Sequence, residues 1–309
     1  MLKTIVTGGA GYVGIKLSRA LLDAGHHVTI VDKFLFGYDP ILHLITHPNL
    51  DVIQRDIRDE DRSYLKCADV VFHLAGLSGL PACEINPNAA VLINHHATVD
   101  LTKAMSPSQT LVYASTTSLY GAANGKACDE TLPVTGDNSN YARTKLLAEH
   151  ACMEHPRAIS LRFATIFGAS PKMRVDLLPN DFVYRAIQER CLVLFRANSK
   201  RTFLHIDDSV RAYMMCLDLA EQMCGQVFNV GDESMNFSKL DIAQAIKKHI
   251  DFTIMNADEM EDLDVRDFFI LFGKIKDLGF RPSVNLDQGI AELLKLFRVY
   301  TPHSSVPRV

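Results

Sequence analysis

"TGGAGYVG" (residues 7–14) decides the fold because of what stands on either side of it. Before it, "KTIVT" (3–7) reads as a short apolar strand. After it, Tyr12 to Ala24 reads as a helix, with Val13, Leu17 and Leu21 at helical spacing. The glycines at 8, 11 and 14 are spaced GxxGxxG. Glycine permits a tight turn and left-handed φ angles, and the missing Cβ lets a pyrophosphate approach the backbone. The first amides of the helix then face the phosphates, with the helix dipole behind them. A glycine triplet alone is a weak signal; the strand before it and the helix after it make it specific.

The same alternation continues outward. "HVTIVD" (27–32), "LDVIQRD" (50–56), "DVVFHLAG" (69–76), "TLVYAS" (110–115) and "AISLRF" (158–163) read as strands, with helical stretches near 59–66, 86–104 and 140–155. Alternation of this kind, with right-handed crossovers, predicts an α/β fold: a Rossmann-type, doubly wound parallel sheet covered on both faces. After residue 168 the pattern changes to proline-bearing loops, a helix around 179–189 and short strands near 192–195 and 203–206. The expected division is a dinucleotide-binding domain over 1–168 and a smaller C-terminal α/β substrate domain over 169–309. "QVFNVGD" (226–232) is expected to return to the large sheet, residues 233–309 to build mostly a helical lobe, and the tail "TPHSSVPRV" (301–309) to fray.

Composition narrows the function. The chain has 309 residues, 48% hydrophobic and 22% charged, which is ordinary for a globular protein. The net charge of −4 without a basic run gives no footprint for nucleic acid. The N-terminus lacks the layout of a signal peptide, and no run reaches the 18 or so apolar residues of a membrane span. Seven scattered cysteines without a CxxC pair suit reduced thiols in a cytoplasm. The pair His95–His96 has no carboxylate at ligand spacing, so no metal is expected.

Asp32 ends the second strand, 18 residues after Gly14. A carboxylate there can accept both ribose hydroxyls of an adenosine and would repel a 2′-phosphate, which favours NAD over NADP; the alternative is a helix cap. Asp56 and Ile57 end the third strand, where they could flank adenine. "YASTTSLYG" (113–121) places four hydroxyl residues, 115–118, at the end of the fifth strand, either as a polar turn or as hydrogen bonds aimed at a substrate. In "NYARTKLLAE" (140–149), Tyr141 lies one helical turn before Lys145. The lysine is expected to lower the phenol pKa, so that Tyr141 takes a proton from an alcohol held by a strand-end hydroxyl while hydride leaves for a nicotinamide.

Glycines 8, 11 and 14, Asp32, Thr116 and the Tyr141–Lys145 pair resemble those of the extended short-chain dehydrogenase/reductases, the NAD-dependent epimerase/dehydratase family acting on nucleotide sugars. "HLAG" (73–76), Asn94, "LYG" (119–121), "LRFATIFG" (161–168) and "RTFLHIDD" (201–208) extend the resemblance over almost the whole chain. It implies oxidation of a sugar hydroxyl, at C4, by bound NAD, ending in epimerisation or in a 4-keto product. It implies a catalytic set of Thr116, Tyr141 and Lys145, the last also holding the nicotinamide ribose. The implied cofactor contacts are Gly8, Gly11, Tyr12, Val13, Gly14, Asp32, Asp56, Ile57, Leu74, Ala75, Gly76, Asn94, Ala164 and the Tyr141–Lys145 pair. Ser78, Thr116, Thr165, Arg201 and Arg266 fall at substrate positions, the two arginines where a diphosphate is clamped. A homodimer through helices 86–104 and 140–155 follows the family habit. Two departures stand out. Where 4,6-dehydratases carry an Asp–Glu pair, this chain has Thr117 and Ser118, so no elimination of water is expected; and Thr165 replaces a frequent asparagine. "SPKMRVDLLPNDFVYRA" (170–186) looks like a branch that includes GDP-heptose 4-dehydrogenases, and Arg174 and Asn180 within it are candidate substrate contacts. The competing class is a non-catalytic NAD-binding protein, which would have no need of an activated phenol.

Overall fold

The computed structural model describes residues 1–121, 127–136, 139–257 and 269–300. Arg266 and the tail 301–309 lie outside the described residues. In chain order the first half comprises β1 (Lys3–Thr7), α1 (Gly14–Asp23), β2 (His27–Asp32), β3 (Leu50–Gln54), β4 (Val70–His73), α2 (Leu80–Ile85), α3 (Pro87–Ala90), α4 (Ala97–Ala104), β5 (Thr110–Thr116), β6 (Ala127–Cys128) and α5 (Asn140–Met153). There follow β7 (Ala158–Phe163), β8 (Thr165–Phe167), α6 (Leu178–Gln188), β9 (Cys191–Leu194), β10 (Lys200–His205), α7 (Ile206–Asp218), α8 (Ala220–Met223) and β11 (Gln226–Val230). The chain continues through β12 (Asn236–Ser238), α9 (Lys239–Lys247), β13 (Thr253–Asn256), β14 (Phe269–Ile270), α10 (Gly273–Asp277) and α11 (Leu286–Phe297).

Seven parallel strands form the central sheet in the order β11-β7-β5-β4-β1-β2-β3. Every residue of β4 and β7 is buried, as strands covered on both faces require. One face packs α1, α7 and α10 through Leu17, Leu21, Tyr213 and Ile275; the other packs α4 and α5 through Leu101, Ala148 and Cys152. β11 pairs with β7, so the chain does return to the large sheet after residue 225. The strand order reverses at β1, opening a crevice between the carboxyl ends of β1 and β4.

Beside this sheet, β12, β10 and β8 form a small mixed sheet, and α6, α9 and α11 close over it around Phe167, Phe182, Ile242, Ile290 and Leu293. The segment after 233 is not all part of that lobe. Ile270, Phe272, Ile275 and Phe280 bury themselves in the core of the large sheet. The stretch near 59–66 forms only a 3₁₀ turn, Ser63–Cys67. The helix expected over 86–104 is built of α3, a π-helical turn Val91–His96 and α4, starting at Pro87 with the Asn86 side chain as its cap. Among the described residues no helix is long and apolar enough to cross a membrane.

Candidate active site

The glycine loop leaves β1 at Thr7. Gly8 has φ +70°, and a Cβ there would lie 2.8 Å from Ala75 N; at Gly14 it would collide with the carbonyl oxygen of Gly8. Both positions therefore require glycine, and helix α1 starts only at Gly14, two residues later than the periodicity predicts. Val13 gives α1 no side-chain cap, and an anion at this end suits the helix dipole. Asp32 braces the loop: one oxygen accepts from Ala10 N at 3.0 Å, the other from Phe34 N at 2.8 Å. A carboxylate has roughly four acceptor positions, so ribose hydroxyls still fit. Asp56 meets Lys33 at 2.9 Å and Arg58 at 2.6 Å, and the Arg58 guanidinium holds its carboxyl well below the usual range. Ile57 is buried in the core of the α4–α5 face. Ala164, between β7 and β8, donates its N–H to Val230 O.

The wall opposite the loop is fixed by a buried chain that sequence reasoning missed. Leu74 N and Ala75 N donate to Thr7 O and Oγ1. His73 lies between Thr7 Oγ1 at 2.7 Å and Thr98 Oγ1 at 2.9 Å, and Thr98 donates onward to Asn94 O. Those directions assign the proton to Nε2 of a neutral His73, whose pKa burial pushes down to about 3, helped by the charge of Lys145. Asn94, in the π-helical turn, accepts from Leu77 N at 2.7 Å and donates to Leu77 O and Thr144 Oγ1. It thereby pins the 74–77 turn, with Gly76 packed against its oxygen, to α5. The "HLAG" motif pointed to this turn; that the histidine side chain itself is a strut needs the third dimension.

α5 begins under a Ser139 cap, whose hydroxyl accepts from Ala142 N at 3.0 Å. This sets Tyr141 in the first turn, beside the Thr116 hydroxyl at the end of β5 and the Ser78 hydroxyl, both of which lower its pKa. Thr116 Oγ1 also accepts from Ser118 N at 3.1 Å, while Thr117 donates to Phe163 O. Lys145 is buried, its Nζ 4.1 Å from the Tyr113 ring centroid, and burial pushes its pKa down to about 8. One expectation is corrected here. The Tyr141 phenol lies above its ordinary value, because burial outweighs the Thr116 hydrogen bond, the charge of Arg174 and the Ser78 hydrogen bond. Arg174, in the loop after β8, is a cation whose charge lowers the phenol against that burial.

That loop carries Arg174, which donates to Ser78 Oγ at 3.1 Å and grips Asp176 with two hydrogen bonds of 3.1 and 2.5 Å. Asn180 is 0% exposed: its oxygen accepts from Gly168 N, and its nitrogen donates to Arg174 O. In this structure it is a brace for the loop rather than a surface offered to a ligand. Thr165 opens β8 opposite Phe203, and Arg201 lies buried on β10 opposite Phe237. The site thus draws together Thr116, Tyr141, Ser78 and Arg174, with Lys145 and Asn94 behind them.

The family model described as "NAD dependent epimerase/dehydratase family" matches residues 4–231. UDP-N-acetyl-alpha-D-glucosaminuronate decarboxylase of Bacillus cytotoxicus is 27% identical, over 96% of this chain and 98% of that protein. UDP-glucuronate 4-epimerase 5 of Arabidopsis thaliana is 28% identical, over 96% of this chain and 75% of the relative. The solved structure of UDP-glucuronic acid 4-epimerase from Bacillus cereus, in complex with UDP-glucuronic acid and NAD, superposes with a TM-score of 0.83 at 25% identity, covering 96% of this chain and 99% of that one. The chain therefore belongs to the NAD-dependent epimerase/dehydratase family.

Proposed function

We propose that this enzyme oxidises C4 of a UDP-sugar and returns the hydride to the other face, as a 4-epimerase, with a uronate as the preferred sugar. The observation that carries the reading is the Tyr141 phenol, buried beside the Thr116 and Ser78 hydroxyls with Arg174 bonded to Ser78 and its charge acting on the phenol. Gly8, Gly11, Gly14, Asp32 and Lys145 hold NAD, which supplies the hydride acceptor when bound. Tyr141 as phenolate takes the C4 hydroxyl proton, and the Thr116 hydroxyl holds the C4 oxygen. Arg174, beside the phenol, favours a sugar with an anionic group near C4; the relatives named for UDP-glucuronate support the same choice. Arg201 is assigned to the diphosphate. The residues up to 168, with the 226–231 strand, serve the cofactor, and the remainder serves the sugar nucleotide. Exposed Leu92 and Leu147 support a dimer through the α3–α4 and α5 helices.

The test is incubation with UDP-glucuronate and UDP-glucose, followed by product mass and NADH absorbance. An isomer of unchanged mass without net NADH is expected. A product two hydrogens lighter would make the enzyme a dehydrogenase, and loss of carbon dioxide a decarboxylase like the Bacillus cytotoxicus relative. Loss of one water would refute the reading of Thr117 and Ser118, which offer neither an acid nor a base near neutral pH. Tyr141→Phe should reduce turnover by roughly 10²–10⁴ with UDP binding retained.

A further inference from the structure

Tyr12 stands inside the glycine loop, yet its side chain belongs to the other half of the molecule. The ring is 8% exposed and packs in the same core as Phe167, Met173 and Phe182. Its hydroxyl donates to Gly168 O at 2.7 Å and accepts from Asn180 Nδ2 at 3.4 Å. Asn180 in turn holds Gly168 N and Arg174 O. Two further struts run alongside: Ser170 Oγ donates to Tyr12 O at 2.7 Å, and Lys16 of α1 donates to Ala169 O while pairing with Asp207 at 2.5 Å. The loop that faces the phosphates and the loop that aims Arg174 at Ser78 are therefore joined through residues 168–170. A phenylalanine at this position would fill the same space but lose the side-chain bonds to Gly168 O and Asn180.

We propose that Tyr12 is a positioning residue that couples occupancy of the glycine loop to the ordering of residues 168–176, and so to the placement of Arg174. The role of Arg174 toward the sugar rests on the function proposed above; the coupling itself does not. Two ligands that stabilise one shared element bind with positive cooperativity, commonly by 5- to 150-fold, and the coupling is reciprocal.

The test is amide hydrogen exchange of the full-length protein with and without NAD, for the parent and Tyr12→Phe. In the parent, NAD should slow exchange over both 8–14 and 168–176. In Tyr12→Phe it should still slow exchange over 8–14 while protection of 168–176 falls by about tenfold or more. Ser170→Ala, which leaves the buried ring in place, should lose part of the same protection and stands in should Tyr12→Phe fold poorly. Equal NAD-dependent protection of 168–176 in parent and variants would overturn the proposal, as would its absence in the parent. Calorimetry with UDP separates the two readings. If the parent does not bind UDP, the substrate reading fails while the exchange result still decides the coupling. If UDP binds but its affinity gains nothing from NAD, the coupling stops short of the substrate.

Discussion

Replacing Arg162 with Met should destabilise the protein by about 3–5 kcal/mol near pH 7, the usual result of breaking a buried ion pair from one side. Arg162 on β7 meets Glu149 on α5 through hydrogen bonds of 3.1, 3.1 and 2.6 Å, with side-chain exposures of 7% and 2%. Ser160 adds a hydrogen bond of 2.8 Å to the same carboxylate, and Tyr120 links Arg162 to Asn229 of β11. Burial alone would raise the Glu149 pKa, but the arginine more than compensates and holds it below its ordinary value of 4.5. In the parent this carboxylate therefore contributes stability above about pH 4.5, which is lost as pH falls through the depressed value. Without Arg162, burial, the largest influence on this carboxyl, is opposed only by serine hydroxyls and should raise the folded pKa above 4.5, so that stability is instead lost as pH rises through it. The deficit of Arg162→Met must accordingly be larger near pH 7 than near pH 5. Urea unfolding followed by circular dichroism at both pH values measures this, and Arg162→Met/Glu149→Met should recover most of the loss. The exposed pair Arg157–Glu221 is the control, and Arg157→Met should leave the midpoint unchanged. A deficit under about 1 kcal/mol, or one equal at the two pH values, would refute the reasoning.

Asp32→Ala should weaken NAD and narrow its advantage over NADP, measured by calorimetry, because the carboxylate both braces the glycine loop and repels a 2′-phosphate. His73 remains neutral down to about pH 3 when folded but takes a proton near 6.5 when unfolded, so stability should rise with pH between those values. His73→Gln should flatten that segment of the stability profile by up to about 1.4 kcal/mol per pH unit; an unchanged slope would place the pH dependence elsewhere. Arg174→Leu should move the acid limb of kcat/KM to higher pH, since removing the cation makes the Tyr141 phenolate harder to form; an unmoved limb would show that Arg174 does not act on the base.

The central sheet was legible because buried parallel strands are continuous apolar runs, and β1, β2 and β7 begin and end where those runs do. The glycine loop was legible because Gly8 and Gly14 are demanded by backbone contacts within the motif itself. What failed to show are features set by distant residues. Phe272 and Ile275 are ordinary apolar positions until β11 offers them the large sheet's core. Asn180 and Arg174 look alike as polar residues on a loop; only the fold turns one inward as a brace and the other toward Ser78. The π-helical turn at Val91–His96 has no period of its own, and Asn94 within it bonds Leu77 and Thr144, partners that only the fold brings near.

The largest difference between motif and structure concerns the base. Spacing places Lys145 one turn from Tyr141, and the simplest inference is that its ammonium activates the phenol. In the fold, that ammonium lies over the Tyr113 ring in a site dry enough to depress its own pKa to about 8. A desolvated cation is costly and a desolvated phenolate equally so; each lowers the cost of the other only when both are charged and close. With the phenol neutral, Lys145 is instead held over the π face of Tyr113, 4.1 Å from its centroid. Arg174 adds a charge that does not depend on the phenol, because Asp176 holds it in two hydrogen bonds. Two cations of different kinds therefore belong to this site: Lys145, a titratable one built one turn along the same helix, and Arg174, a permanent one carried by the loop after β8. On the proposed function, with Tyr141 as the base, activation of the phenol would depend on where the loop carrying Arg174 stands, and the 168–176 segment would belong to the catalytic geometry.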